Sequence, residues 1–170
     1  RSSDLLWQRQ GFLEPCPGKT IAPEYVATKI AEIYSEYRVV GLAYDRWRIA
    51  YLKKEFERIG LDASEEEGAQ IRLYPWGQGF KDMAPAIDAF EEAAINGSFE
   101  HDGNPLLTWN VANAIVSSDP AGNRKLDKSK SRLRIDGAVA ATMAHGLRAR
   151  LDEGDDGDMD DYFNSLRGEE

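Results

Sequence analysis

Two acidic residues in this sequence have the surroundings that metal-dependent phosphodiester chemistry requires. Asp136 stands at the head of an apolar helical pattern, immediately after a run of basic residues, and Asp45 ends a short apolar run at 39–44. Carboxylates suit Mg²⁺ and Mn²⁺ because these hard ions prefer oxygen ligands, and a DNA backbone needs neutralising positive charge. An acid after a strand and an acid on a helix, with cations close by, indicate a metal-dependent nuclease.

The cations form one segment directly upstream of Asp136. Six basic residues fall within 124–134, and Asp127 is the one acid among them. This density favours contact with DNA phosphates, although an ordinary solvated loop can have the same composition. The candidate DNA-binding residues are Arg124, Lys125, Lys128, Lys130 and Arg132.

The net charge of −9 is distributed unevenly along the chain. Residues 152–170 carry nine acids and one base, Arg167, which leaves a net charge of −1 for residues 1–151. We therefore divide the chain into one domain at 1–151 and an acidic tail at 152–170, which its composition predicts to be disordered. The segment YFNSL at 162–166 could dock on a partner, but a solvated tail with nothing bound is the simpler interpretation.

The remaining composition is typical of a single folded domain. A chain of 170 residues with 42% hydrophobic residues can bury a core. Cys16 is its single cysteine, so an internal disulfide is excluded and a reducing compartment is expected. No apolar run approaches the roughly 20 residues that a membrane helix requires, so we predict no membrane partner.

Helical and strand patterns alternate along the domain, which predicts an α/β fold with at least one parallel pair of strands. The predicted helices are 23–34, 49–59, 85–96 and 134–149, with a short helix or turn at 109–113. The predicted strands are 38–44, 71–74 and 114–118, of which the first is buried, and a hairpin turn is expected at 119–123. Asp45 would then lie at a strand end and Asp136 on the last helix.

Several short motifs in a fixed order resemble the nuclease half of the large terminase subunits of tailed phages. They are AYDRW at 43–47, GQGF at 77–80, HDGNP at 101–105, WN at 109–110, DPAGN at 119–123 and IDG at 135–137, with Lys128 and Lys130 before the last. Each motif is weak alone, but this order and spacing are highly specific. The resemblance runs from about residue 7 to residue 149.

The resemblance implies a ribonuclease H-like fold that cuts concatemeric double-stranded viral DNA during genome packaging. It implies a site for two divalent ions, Mg²⁺ or Mn²⁺, with Asp45 and Asp136 as catalytic and metal-binding residues. It also implies a portal protein and a terminase small subunit as partners in the intact motor. The host cytoplasm during phage assembly would be the location.

Two features differ from the family pattern. The motif G-x-x-x-x-G-K-[ST] does not occur, so the packaging ATPase of the family is not expected in this chain. The metal-binding Asp that such folds carry on their first strand has no counterpart either, and the fold is expected to begin after those N-terminal strands. With Asp45 and Asp136 alone, we expect this chain to bind metal weakly and to cleave DNA poorly or not at all.

Each candidate residue also has a plainer interpretation. Asp45 could cap the helix that begins near residue 48, and Asp136 could complement a helix dipole. Gln78 and Asn110 could orient substrate or cap backbone groups.

The histidines and tryptophans are expected in structural roles. His101 is interpreted as a hydrogen-bonding turn residue and His145 as a packing or dipole residue. The side chains expected in the core or in pocket walls are Trp47, Trp76 and Trp109.

Two other functions remain open at this point. The chain could be a non-catalytic DNA- or portal-docking fragment of the packaging motor, and another ribonuclease H-like enzyme, such as a junction resolvase or transposase core, fits the ordered motifs less well.

Overall fold

The computed structural model describes residues 2–47 and 49–152, and this part of the chain contains six helices and five strands. The helices are α1 (Ser2–Arg9), α2 (Pro23–Glu36), α3 (Ile49–Arg58), α4 (Phe80–Ile95), α5 (Pro105–Ala112) and α6 (Asp136–Asp152). The strands are β1 (Leu42–Tyr44), β2 (Ala63–Ser64), β3 (Ile71–Pro75), β4 (Val116–Ser118) and β5 (Arg124–Leu126). The predicted α/β class is confirmed.

The central sheet is parallel and has the strand order β1-β3-β2. Tyr44 at the end of β1 lies opposite Pro75 at the end of β3, and its carbonyl accepts a 2.8 Å hydrogen bond from the N–H of Trp76. Parallel strands end at the same edge, so the residues that follow β1 and β3 lie side by side. This edge places Asp45 next to the loop that begins at Gly77.

Successive residues of β3 face opposite sides of the sheet, and each side has its own core. Ile71 and Leu73 pack with Ala27 of α2 and Phe56 of α3. Tyr74 belongs to a larger cluster formed mainly by α4 and α6. The buried members of this larger cluster are Tyr74, Trp76, Met83, Ala86, Ile87, Ile135, Ala138, Val139, Met143 and Leu147.

Helices α4 and α6 approach each other closely at Gly146. A Cβ atom added there would lie 2.5 Å from Cβ of Ala86 and 2.6 Å from Cζ2 of Trp76, closer than side-chain atoms pack. The absence of a side chain at Gly146 therefore permits this crossing.

Strands β4 and β5 form an antiparallel hairpin across the predicted turn at 119–123. The carboxylate of Asp119 accepts hydrogen bonds from the N–H groups of Ala121 and Asn123, both at 2.9 Å. Asp119 therefore closes the turn, and β5 delivers the start of the basic segment.

Several predicted boundaries were wrong: α5 begins at Pro105 rather than at 109, and others differ at α4 and β1. Helix α4 begins at Phe80, five residues before Pro85, which lies inside the helix. Pro85 removes one backbone donor from the helix, and the added first turn buries Met83 in the larger apolar cluster. The buried strand predicted at 38–44 is confined to Leu42–Tyr44 and is only partly buried. Before it, the N–H of Val39 bonds to the carbonyl of Tyr37.

Further differences lie at the two ends. Helix α1 was not predicted, and α6 runs to Asp152, past the predicted end at 149. The proposed disorder of the acidic tail concerns residues outside the described part of the chain, apart from Asp152. Among the helices of the described residues, none is long and apolar enough to cross a membrane.

Candidate functional site

Asp45 lies on the surface at the carboxyl end of β1, with both carboxylate oxygens engaged. Its Oδ1 accepts a 3.1 Å hydrogen bond from the N–H of Trp47, and its Oδ2 accepts a 2.6 Å bond from Nε2 of Gln78. The first bond is a local turn contact made before α3 begins, so it does not show the helix-capping role that was the plainer interpretation of Asp45. The second bond comes from the neighbouring strand connection, so Gln78 contacts the candidate acid directly.

The loop that carries Gln78 is anchored by Asp82, a residue that sequence analysis missed. Oδ2 of Asp82 accepts the N–H of Gly77 at 3.1 Å, and its Oδ1 is 3.0 Å from Nη2 of Arg150. The Arg150 guanidinium in turn lies 3.9 Å from the centre of a Trp76 ring. The carboxylate is 8% exposed, so this is a nearly buried ion pair.

Asp136 opens helix α6 and is 63% exposed. Its Oδ1 lies 3.1 Å from Nζ of Lys128. The next N–H of the helix, at Gly137, donates to Oδ1 of Asn110 at 2.9 Å, so Asn110 has the backbone-capping role that was one of its two predicted alternatives. A Cβ atom at Gly137 would lie 3.3 Å from Cγ of Asn110, which explains the small residue beside the acid.

The five candidate DNA-binding residues differ in the contacts that they make with other side chains of the protein. Arg124 pairs with Glu91 and Asp88 of α4, and these carboxylates hold the pKa of its guanidinium above the usual range. Nζ of Lys125 lies 4.8 Å from the centre of the Phe80 ring. Nζ of Lys130 donates to Oγ of Ser117 at 2.8 Å. Arg132 is exposed, and Lys128 pairs with Asp136.

Two cavities meet at Asp136. The first, which we name the cationic cavity, has a volume of about 240 Å³ and is lined by Lys128, Ser131, Arg132, Leu133, Arg134, Ile135 and Asp136. The second, the indole cavity, has a volume of about 610 Å³ and is lined by Asp4, Trp7, Leu13, Asn104, Leu106, Leu107, Trp109, Asn110, Arg134, Asp136 and Gly137. Arg134 and Asp136 line both cavities.

The structure thus brings Asp136 together with Lys128 and Arg132, and Asp45 together with Gln78. Asp45 does not line either of these two cavities. Within residues 2–47 and 49–152, no group of three or more His, Cys, Asp or Glu side chains is placed to hold a metal ion.

The hairpin beside the cationic cavity is fastened by Asp127. Its carboxylate accepts hydrogen bonds from Oγ of Ser129 at 2.6 Å and Oγ of Ser117 at 2.8 Å. These bonds hold the pKa of Asp127 well below its usual range. The negative charge of Asp127 is therefore stabilised by hydrogen-bond donors in and next to the hairpin.

The two histidines make their contacts with turn and aromatic residues. Nδ1 of His101 accepts the N–H of Gly103 at 3.0 Å, as expected for a turn residue. His145 packs edge-on against Phe90 and Phe99, and burial lowers its pKa. The prediction that both have structural roles agrees with these contacts.

The parallel sheet with helices on both faces is an α/β fold of the ribonuclease H-like class. The sequence profile of the family "Terminase large subunit, endonuclease domain" matches residues 3–153, and the chain belongs to this family.

Individual phage proteins are similar to the chain over most of its length. The "Terminase, large subunit" of Enterobacteria phage HK97 is 42% identical over 158 residues, which are 93% of this chain and 30% of that protein. The "Gene 13 protein" of Mycobacterium phage D29 is 30% identical in an alignment of 155 positions that covers 84% of this chain and 24% of that protein. The chain therefore spans less than a third of the length of these relatives.

A solved structure shows the same fold. The crystal structure of the HK97 bacteriophage large terminase matches with a TM-score of 0.74 and 41% sequence identity, over 86% of this chain and 30% of that chain.

Proposed function

We propose that this chain is the nuclease module of a phage or prophage terminase large subunit, which cleaves double-stranded viral DNA during packaging with Mg²⁺ or Mn²⁺. Family membership supports the nuclease class. The observation that carries the cleavage chemistry is the exposed carboxylate of Asp136 at the rim of a cavity lined by Lys128 and Arg132. A carboxylate beside phosphate-binding cations is the combination that metal-assisted phosphodiester cleavage needs.

The donors fit a hard divalent ion. Asp45 and Asp136 both present exposed carboxylates, and Mg²⁺ is commonly bound through one or two carboxylates together with water and substrate phosphates. When bound, such ions supply an activated water and charge stabilisation at the leaving oxygen. Gln78 and the N–H of Trp47 hold the Asp45 carboxylate in one orientation, so little side-chain entropy is lost when it binds an ion.

The basic segment binds the DNA backbone in this proposal. Lys128 and Arg132 face the cationic cavity beside Asp136. Lys130 has a 63% exposed side chain and lies on the same loop. Arg124 would have to leave two carboxylates to reach a phosphate, so its contribution is expected to be smaller than that of Arg132.

Supercoiled-plasmid nicking with Mn²⁺ tests the proposal. We expect weak cleavage by this chain, lost in Asp45→Ala and in Asp136→Ala and retained in Asp62→Ala, which removes an exposed acid elsewhere. The same substitutions are to be made in a full-length large subunit that carries this domain, where cleavage is expected to be strong. Cleavage that survives both substitutions, or a full-length subunit that is inert with both acids intact, would exclude the nuclease.

A non-catalytic DNA- or portal-docking module is the second candidate. It is favoured by the lack of a three-residue metal-ligand group within 2–47 and 49–152 and by the pairing of Asp136 with Lys128. In this case Asp45→Ala and Asp136→Ala would leave motor assembly and packaging intact. A portal protein, a terminase small subunit and the host cytoplasm remain the proposed partners and location in either case.

A further inference from the structure

The cationic cavity and the indole cavity meet along one edge, and this shared edge has the layout of a nucleotide site. Arg134 and Asp136 line both cavities. One side of the edge offers cations, and the other offers an aromatic surface. A nucleotide likewise has an anionic phosphate at one end and an aromatic base at the other.

The cationic cavity has the chemistry for one phosphate. Lys128, Arg132 and Arg134 line it, and Asp136 is its one acid. Neither the Arg132 nor the Arg134 guanidinium has an ion pair or hydrogen bond with any residue in the part of the chain that the structure describes. Both cations are therefore available to an external anion, and a guanidinium can bind a phosphate through two hydrogen bonds.

The indole cavity has the chemistry for a base. Trp109 of α5 is half-buried in its wall, and Trp7 of α1 packs against it with ring centres 5.5 Å apart and a tilt of 59°. This contact holds the Trp109 ring in place, because Trp7 itself is 8% exposed. The volume of about 610 Å³ falls within the range of roughly 300–1,000 Å³ that small-molecule sites occupy. The side-chain amide of Asn104 lines the same cavity.

We propose that these two cavities together hold one unpaired nucleotide of a DNA strand, with its phosphate between Arg132 and Arg134 and its base against Trp109. The inference deepens the proposed nuclease function and rests on DNA being the substrate. A base within a duplex is stacked and paired, so its face cannot reach an indole inside a cavity. Among duplexes, the site is therefore expected to bind more tightly those that carry an unpaired nucleotide beside the phosphate held near Asp136.

The test is DNA binding in EDTA, where no cleavage occurs, by fluorescence anisotropy of labelled duplexes of equal length. One duplex is fully paired, and the other carries a single unpaired nucleotide at its centre. We expect the second duplex to bind about fivefold more tightly or better, as expected for one base stacked on an aromatic side chain. Quenching of tryptophan emission should accompany binding of this duplex.

Variants assign the preference to the two cavities. Trp109→Ala and Arg134→Ala should each remove the preference for the unpaired nucleotide, and Trp109→Phe should keep part of it. Tyr51→Ala and Arg38→Ala remove an exposed aromatic ring and an exposed cation outside both cavities and should keep all of it. Circular dichroism shows whether each variant is folded. If Trp109→Ala does not fold, Arg134→Ala alone tests the preference for the unpaired nucleotide.

Equal affinity for the two duplexes would overturn the inference. So would a preference that survives both Trp109→Ala and Arg134→Ala, or binding of dAMP alone as tight as that of the DNA. Because no metal is present, these outcomes are independent of the cleavage assay: loss of the preference with intact cleavage would remove this inference and leave the nuclease proposal standing.

Discussion

The side-chain amide of Gln78 donates a 2.6 Å hydrogen bond to Oδ2 of Asp45, across the two neighbouring strand ends of the sheet. Because Oδ1 already receives the N–H of Trp47, both oxygens of the carboxylate have a fixed partner. Asp82 fixes the backbone of the same loop through the N–H of Gly77. Gln78 is thus a positioning residue for the candidate metal ligand.

Replacing Gln78 by alanine should weaken Mn²⁺ binding. Removing a group that orients a metal ligand typically lowers metal affinity by about tenfold or more. We expect this loss in Gln78→Ala by Mn²⁺ titration calorimetry with a DNA oligonucleotide present, together with an unchanged unfolding midpoint. Gln8→Ala, an exposed amide on α1, is the matched control. Unchanged Mn²⁺ affinity in Gln78→Ala, alongside its loss in Asp45→Ala, would contradict the positioning role.

Replacing Lys128 should separate metal binding from DNA binding. Its Nζ lies 3.1 Å from Oδ1 of Asp136, where it neutralises the carboxylate that an ion would use. Lys128→Ala is therefore expected to bind Mn²⁺ more tightly in the absence of DNA and to bind DNA more weakly. Calorimetry and anisotropy measure the two effects, and Lys130→Ala should weaken DNA binding alone. Weaker Mn²⁺ binding in Lys128→Ala would show that the lysine does not compete with the ion.

Replacing Arg150 should destabilise the fold strongly. Methionine keeps the stem of the side chain but removes the guanidinium that lies 3.0 Å from the Asp82 carboxylate, which is 8% exposed. Removing one member of such a pair costs about 3 kcal/mol or more of unfolding free energy. Arg148→Met breaks an exposed pair with Asp152 on the same helix and should cost no more than about 1 kcal/mol. Urea denaturation measures both variants, and equal losses of unfolding free energy in Arg150→Met and Arg148→Met would contradict this prediction.

A Gly146→Ala variant should be less stable, against the usual helix preference. Alanine in a helix interior is normally favoured over glycine by about 1 kcal/mol. At this crossing the new methyl group would lie 2.5 Å from Cβ of Ala86, and overpacking of this kind costs about 1–3 kcal/mol. Ala144→Gly, at an exposed position of the same helix, measures the ordinary propensity. A higher thermal unfolding midpoint in Gly146→Ala would show that the two helices can move apart to accept the methyl group.

Asp127 should make the hairpin sensitive to acid. Its depressed pKa means that its contribution to stability is present above the ordinary Asp pKa of about 4 and is lost as the pH falls through its lower folded value. A carboxyl NMR titration should find Asp127 still ionised where unperturbed aspartates are protonated. Ser129→Ala removes the largest cause and should raise its pKa, with a smaller rise in Ser117→Ala. An ordinary Asp127 pKa in the unmodified chain would contradict this.

The helices with regular apolar spacing were predictable, because one buried face repeats along the chain. Phe56 of α3 lies in the core where the pattern expects a buried face, whereas the fully buried residue of α2 is Ala27, which lies outside the expected spacing. The length of strand β1 was not predictable from its apolar run, since pairing with β3 begins only at Leu42 and Val39 bonds locally to Tyr37. The extent of α4 was hidden because Pro85 suggested a helix start and lies in its interior.

The candidate acids were found from their local surroundings, whereas their contacts depend on residues distant in sequence. Gln78 lies 33 positions from Asp45, and Arg150 lies 68 positions from Asp82. No spacing rule connects such pairs, so the anchoring of the loop and the engagement of Arg124 by Glu91 required the structure. Asp82 carried one signal, an acid in the first turn of a helix, which the misplaced helix start concealed.

The close crossing at Gly146 also fixes the direction of helix α6 against helix α4. Asp136 lies ten residues from this point, a lever arm of about 15 Å of helix rise, so a tilt of about 4° would displace the acid by about 1 Å. A misplacement of about 1 Å is enough to slow an enzyme roughly a hundredfold. In the proposed nuclease, the contact of Gly146 with Ala86 and Trp76 would therefore help to hold the carboxylate of Asp136 in place from ten residues away.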